Sequence, residues 1–144
     1  MTHKLIPFDV EHLYLMDLRD RDKLMDWDLV KTIRNAENIG VTYVIDDKPI
    51  ASGGVIPMWE GVGTSWMACS KDYKNYAVSV GRYMLDTISS AFDIFDLRRI
   101  QATCDEKDEE SIKFHEWAGY EKEGILKRYG IDGSNHIMFA KVKV

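Results

Sequence analysis

Lys74 and Ser79 lie in the stretch of this 144-residue chain that points most directly to chemistry. The stretch is KDYKNYAVSVGRY, residues 71–83; it follows the apolar run TSWMACS and opens an amphipathic segment reaching about Phe95. Where a strand runs into a helix, the helix's first amide N–H groups point outward without internal partners, and such a turn can hold a phosphate. Turns of this kind usually carry glycines, which let the backbone approach the ligand. Here Ala77 and Ser79 stand where glycines are expected, and Gly81 comes late. Lys74 supplies a positive charge beside the turn, and the Ser79 hydroxyl can donate a hydrogen bond. Cys69 and Cys104 have no metal-ligand spacing and sit within apolar runs, which reads as small buried residues in a reducing compartment. The four histidines are scattered, and no metal site is expected.

The elements that must position this turn can be read from the pattern around it. At 45% hydrophobic and 30% charged residues, the chain fits one soluble domain, residues 1–144, with a sizeable core. No apolar run approaches the roughly 20 residues of a membrane span, and the start MTHKLIPFDVEH lacks a signal peptide's apolar stretch, so a cytoplasmic protein is expected. The net charge of −5 argues against a nucleic-acid partner. Residues 9–28 hold seven carboxylates and three bases. That is a solvated helical face or a docking surface for a basic protein partner.

HKLIPFDV reads as a first strand. Leu13, Met16, Leu24, Trp27, Val30 and Ile33 recur at helical spacing up to a stop at Asn38 and Gly40, predicting two helices joined near RDRD. VTYVIDDKPIASGGVIPMW reads as a hairpin turning at DDKP, with Gly53 and Gly54 marking a bulge or close backbone approach. EGVG is a further turn and TSWMACS a fourth strand. The helix from about Tyr76 presents Ala77, Val80, Met84, Ile88, Ala91, Phe92 and Phe95 as one stripe. Ile100, Ala102 and Cys104 alternate along LRRIQATCD. SIKFHEWAGY is a helix ended by Gly119, and the last two strands turn at GIDGSN. The order predicts a mixed α/β (α+β) sheet, antiparallel at its ends and parallel in the middle.

The stretch AFDIFDLRRIQATCDEKDEESIKFHEWAGYEKEGILKRYGIDG resembles the Gcn5-related N-acetyltransferase (GNAT) superfamily, in particular its ribosomal-protein alanine acetyltransferase-like branch. The likeness lies in an L-x-R-I-x-A strand, an acidic turn, and S-I-x-x-x-E-x-x-G-[FY]-x-x-E-G. It covers residues 40–140 well and residues 1–39 in outline only. The resemblance implies a sheet of six to seven strands, with the fourth and fifth splayed, flanked by about four helices. It implies acetyl-CoA as co-substrate, with its pantetheine arm in the splay and its pyrophosphate on a turn of pattern [RQ]-x-x-G-x-[GA]. Lys74, Asn75, Tyr76, Ala77, Val78 and Ser79 fall on that pattern, with Lys for Arg or Gln and Ala for the middle glycine. The backbone of Met67 and Cys69 would contact pantetheine and the thioester oxygen. The position that many members give to an acid Tyr is held here by His115, which can also donate a proton at neutral pH. TSWMACS carries no carboxylate base, and Glu60 in the preceding turn is the nearest acid. Trp59 could line an acceptor pocket.

The function implied is transfer of an acetyl group to an amine of a small molecule or protein. The alternative is a GNAT-like chain without catalysis that binds or assembles. Short divergent versions of the domain, similar to this one, occur among phage-encoded proteins, which would place it in a virion or host cytoplasm or make it an inhibitor of a host protein.

Overall fold

The computed structural model describes residues 2–24 and 39–143. Among the described residues seven strands form one sheet: β1 His3–Pro7, β2 Ile39–Ile45, β3 Lys48–Trp59, β4 Val62–Cys69, β5 Arg99–Asp105, β6 Glu121–Leu126 and β7 His136–Val142. The described helices are α1 Glu11–Tyr14, α2 Ala77–Ile94 and α3 Glu109–Trp117, with short 3₁₀ turns at Asp22–Leu24 and Lys71–Tyr76. The strand order is β1-β2-β3-β4-β5-β7-β6. Among the described residues only β4 and β5 pair in parallel, so the sheet is mixed as the sequence predicts.

Local chemistry explains the turns. Asp46 and Asp47 both take positive φ, 48° and 65°, which is the left-handed two-residue turn that matches strand twist, and Asp tolerates it. Gly61 at φ 82° turns β3 into β4. Between them the antiparallel pairing of β2, β3 and β4 is nearly continuous. Gly53 and Gly54 mark a close approach, as expected: Gly54 lies opposite Gly40 on β2, and a Cβ on Gly54 would fall on the Ile39 carbonyl and 2.7 Å from the Gly40 Cα.

The core lies on both faces of the sheet. Val80, Met84, Ile88, Ala91 and Phe92 of α2 are buried, which is the stripe the sequence predicts. Ala77 is an exception, exposed where the preceding turn passes into the helix, and Phe95 is half-buried. Phe8, Val10, Leu13, Met16 and Leu18 pack on the other face, against Ala68 and Trp66 of β4. Alternation therefore sends Trp66 and Ala68 to the α1 face, and Met67 and Cys69 to the α2 face.

The two N-terminal helices predicted up to Asn38 are replaced at their start by the single turn α1 and a segment, residues 17–22, that does not continue the helix. The remainder of that prediction, from Met25 to Asn38, lies outside the described residues. The helix gives way because Leu18 pairs with Ser70 of the sheet instead.

Gly54→Ala should destabilise the chain by about 3 kcal/mol or more, because backbone rather than a movable side chain occupies the space. Gly124→Ala, on β6 with nothing within 4 Å of its Cβ, should change stability by about 0.5 kcal/mol or less. Urea denaturation of the two variants against the parent chain measures both.

Candidate functional site

Parallel pairing of β4 with β5 covers only Val62↔Arg99, Gly63↔Ile100 and Thr64↔Gln101. Beyond Thr64 the strands separate, while β5 stays paired with β7 through all seven of its residues. The separation is therefore β4 leaving β5. The space between them is a cavity of about 400 Å³, lined by Trp66, Met67 and Cys69, by Ala102 and Cys104, and by His115 of α3.

The open edge of β4 follows from strand alternation. The Ser70 amide donates to Ile50 of β3 at 2.8 Å, so the backbone groups of Cys69 face the other way, towards the gap. The period of two turns the Met67 amide and carbonyl to that same edge. These are the two residues whose backbone the family resemblance implies as contacts for pantetheine and the thioester oxygen.

At the end of β4, the Ser70 hydroxyl accepts from the Asp72 amide at 3.3 Å and caps the 3₁₀ turn Lys71–Tyr76. Ala77 then takes φ −55° and ψ −40°, and no residue from 71 to 79 has positive φ. The turn is a 3₁₀ turn that passes through Tyr76 at φ −132° and ψ 19° into α2, and it has no conformational need of the missing glycines. Asn75, Ala77 and Val78 are exposed around it. Ser79 is committed elsewhere: its hydroxyl bonds Tyr43, whose own hydroxyl also meets His3 Nδ1. Tyr76 is half-buried edge-on to the His3 ring. Lys74 Nζ lies 3.2 Å from Glu110 Oε1, and the Tyr73 hydroxyl donates to the same carboxylate.

His115 is buried in the cleft wall, stacked on Phe139 at 5.1 Å between ring centroids and edge-on to Tyr120 at 4.9 Å. Its Nδ1 is 2.7 Å from the Ser111 carbonyl oxygen, which only accepts, so Nδ1 carries the proton and Nε2 the lone pair. Burial lowers its pKa and keeps the ring neutral. At rest His115 is thus a proton acceptor at Nε2, and it can serve as an acid only after taking up a second proton. Nearby, Tyr120 and Ser65 share a 2.8 Å hydrogen bond, and burial pushes the Tyr120 phenol up to about 12.

Glu60 and Trp59 are not brought to the cleft. They close the β3–β4 turn at the opposite end of β4, where Trp59 pairs with Val62 and the Glu60 carbonyl accepts from Arg98 at 3.1 Å. A turn residue preceding β4 cannot reach a gap that opens only after Thr64.

The residues that sequence reasoning missed are Arg19, Arg21 and Asp22. Residues 17–22 run along the open edge of β4: the Arg19 amide donates to the Cys69 carbonyl at 3.0 Å and the Lys71 amide to the Asp17 carbonyl at 2.9 Å. The Cys69 amide donates to Asp22 Oδ2 at 2.9 Å. Towards the far side, one Arg19 nitrogen donates to both Asp108 oxygens at 2.8 and 2.7 Å, and Arg21 meets Asp105 at 2.6 Å. The acidic segment read as a possible docking face is thus partly engaged within the chain: Asp17 and Asp20 lie near Lys71, and Asp22 is turned inward. Only the alternation of RDRD with the later acidic DEKDEE hinted at this.

The donors present suit an anionic or carbonyl-bearing ligand, because the chain's own carboxylates already stand in for one. Asp22 oxygen occupies the Cys69 amide, and Glu110 oxygens occupy Tyr73 and Lys74. Burial raises the Asp22 carboxyl to about 6, helped by Asp108 and Glu110 and opposed by the Cys69 amide and Arg19.

Solved structures share this architecture. The ribosomal-protein-S18-alanine N-acetyltransferase from Escherichia coli matches with a TM-score of 0.78 at 13% identity, covering 98% of this chain and 94% of that one. Ard1 from Thermoplasma volcanium matches with a TM-score of 0.82 at 11% identity, covering 100% and 99%. The ribosomal-protein-S5-alanine acetyltransferase from Vibrio fischeri matches with a TM-score of 0.71 at 18% identity, covering 97% and 92%. The chain therefore has the GNAT fold. No protein-family model matches the sequence, and no curated protein sequence matches it.

A carboxyl whose pKa rises on folding contributes stability that is present below its unfolded value and lost as pH rises through its folded value. Asp22 rises from 3.8 to about 6, so its loss falls between those values. Asp22→Asn keeps an oxygen for the Cys69 amide without the charge. It should be more stable than the parent at pH 7.5, on the order of 2 kcal/mol, with the gap closing by pH 4. Thermal unfolding of both chains across that range measures it.

Proposed function

We propose that the chain is an acetyl-CoA-dependent N-acetyltransferase acting on an amine of a small molecule or protein. The observation that carries this reading is the separation of β4 from β5, with the Met67 backbone edge and His115 facing one cavity. The Met67 and Cys69 backbone would hold the pantetheine arm, and Lys74 with the turn at Asn75, Tyr76, Ala77 and Val78 would hold the pyrophosphate. Ser79 belongs to the turn through its backbone, its hydroxyl being taken by Tyr43.

Acetyl-CoA supplies an acetyl group activated as a thioester. The Met67 amide donates to the thioester oxygen, where negative charge develops as the amine attacks. His115 Nε2 takes a proton from the attacking nitrogen, which its neutral resting state allows. As the carbon–nitrogen bond forms and the carbon–sulfur bond breaks, the same nitrogen returns that proton to the departing sulfur. One residue so covers both the acid that the resemblance implies and the base that β4 lacks. The amine enters from the side where residues 127–135 join β6 to β7 and contribute Tyr129, Ile131 and Asp132 to the cavity wall.

A second reading, a binding or assembly protein on the same fold, is favoured by one observation: the Cys69 amide and carbonyl are both paired within the chain. The two readings separate by calorimetry. Saturating acetyl-CoA at 100 times its Kd should stabilise the enzyme by about 2.7 kcal/mol. No thermal shift at millimolar acetyl-CoA, with no acetyl transfer to any amine offered, would leave the second reading. In the enzyme, His115→Phe keeps the stacking on Phe139 and should lower turnover by roughly 100-fold or more while Kd for acetyl-CoA changes little. A rate equal to the parent's removes His115 from the chemistry.

A further inference from the structure

We propose that residues 17–22 are a displaceable strap that closes the acyl-donor edge of β4, with Glu110 as its latch. The inference rests on the acetyltransferase reading and adds to it a built-in autoinhibitory contact.

Three sets of contacts define the strap. Along β4 it behaves as a short antiparallel strand: Leu18 pairs with Ser70, and the Arg19 and Lys71 amides donate to the Cys69 and Asp17 carbonyls. Asp22 then takes the Cys69 amide, so neither backbone group of Cys69 remains open. Across the gap, Arg19 and Arg21 tie the segment to Asp108 and Asp105, at the start of α3 and the end of β5. The strap thus spans the opening between the two separated strands and contributes Arg19, Arg21 and Asp22 to the lining of the cavity beneath.

The latch sits at the phosphate turn. Glu110 is held by the Tyr73 hydroxyl, by Lys74 Nζ at 3.2 Å and by Arg19 Nε at 3.9 Å. Arg19 also lies over the Tyr73 ring, 5.7 Å from its centroid. Glu110 therefore joins the turn, α3 and the strap in a single ionic knot. It holds the lysine that a phosphate-bearing acyl donor would use.

The balance of forces favours release over a permanent seal. Lys74 is 70% and Glu110 42% exposed, and ion pairs so exposed are weak and salt-sensitive. The Asp22 carboxyl is held on the Cys69 amide at the expense of its own solvation, which is why its pKa is raised to about 6. A ligand bearing both a neutral amide carbonyl and a pyrophosphate offers the Cys69 amide an uncharged acceptor and Lys74 a stronger anion. It can thus replace both contacts at once, which a free phosphate or a bare acyl pantetheine cannot.

The test locks and unlocks the strap. Asp17 and Lys71 are exposed and directly opposite in the strap–β4 pairing, so Asp17→Cys with Lys71→Cys places a disulfide staple outside the cavity. Acetyl-CoA binding to the full chain is read by calorimetry in the oxidised and reduced forms, and hydrogen exchange follows the Arg19 and Lys71 amides. Oxidation should weaken binding at least 10-fold, with reduction restoring it. In the parent chain, acetyl-CoA should speed exchange at both amides, and Glu110→Gln should bind about 10-fold tighter than the parent. Equal affinity in the two redox forms, or added protection of the Arg19 and Lys71 amides on binding, overturns the strap while leaving the acetyltransferase reading intact. Absence of binding in the parent, the reduced staple and Glu110→Gln alike overturns that reading and the strap with it. Binding by Glu110→Gln but not by the parent supports both.

Discussion

A strand that parts from its neighbour leaves a row of backbone donors and acceptors without partners, and the rest of this molecule is arranged around that fact. Beyond Thr64 the edge of β4 faces a gap, and each amide or carbonyl left unpaired there would cost on the order of 1–3 kcal/mol if buried. The edge can be satisfied by water, by a ligand, or by another piece of chain. At Cys69 it is another piece of chain, and the arginines that hold that piece in place account for the carboxylates of Asp105 and Asp108 on the far wall. The site is thus a place where the fold has one more strand's worth of hydrogen bonding to give than the sheet can use.

The position of the cleft and the chemistry within it come from different sources. The cleft lies where β4 leaves a β5 that stays paired with β7 along its whole length, and Trp66 of the departing strand packs on Phe8, 4.7 Å between ring centroids. The His115 side chain comes from α3, and its tautomer is fixed by a carbonyl one turn earlier in the same helix. His115 is held by aromatic neighbours on two sides, so its orientation is set by the core rather than by charged partners. The wall of the cleft at His115 is thus aromatic while its mouth is ionic.

How much of this is legible in the sequence follows the range of the interactions. Periodicity finds the α2 stripe from Val80 to Phe92 and the alternation of Ile100, Ala102 and Cys104, because local pattern and burial agree there. The glycines at 53 and 54 announce a close approach, and of the residues that a motif resemblance names, Met67, Cys69 and His115 line the cavity while Lys74 lies in a neighbouring depression with Tyr73 and Glu110. Glu60 and Trp59 go astray because nearness in sequence is not nearness in space: β4 carries them to the wrong end of the gap. The strap is legible only as RDRD with a later acidic DEKDEE: Arg19 and Asp108 are separated by 89 positions, and RDRD by itself fits a solvated helical face equally well. The missing glycines of the turn bear on two separate things. Residues 71–79 take no positive φ, so the backbone there has no conformational need of glycine, and the closeness of approach that a glycine allows is a separate matter.

The strap also changes what it means to shorten this chain. Exposed sheet edges are where proteins join edge to edge into dimers and aggregates, and natural folds cover or blunt them. Here the vulnerable edge lies in the middle of the sheet, between β4 and β5, rather than at its rim. Residues 17–22 act as its guard. A chain trimmed past them in the hope of opening the cleft would lose more than a cover: β1 and the packing of Phe8, Val10, Leu13 and Met16 on Ala68 go with them, and the bared edge of β4 is then open to self-association.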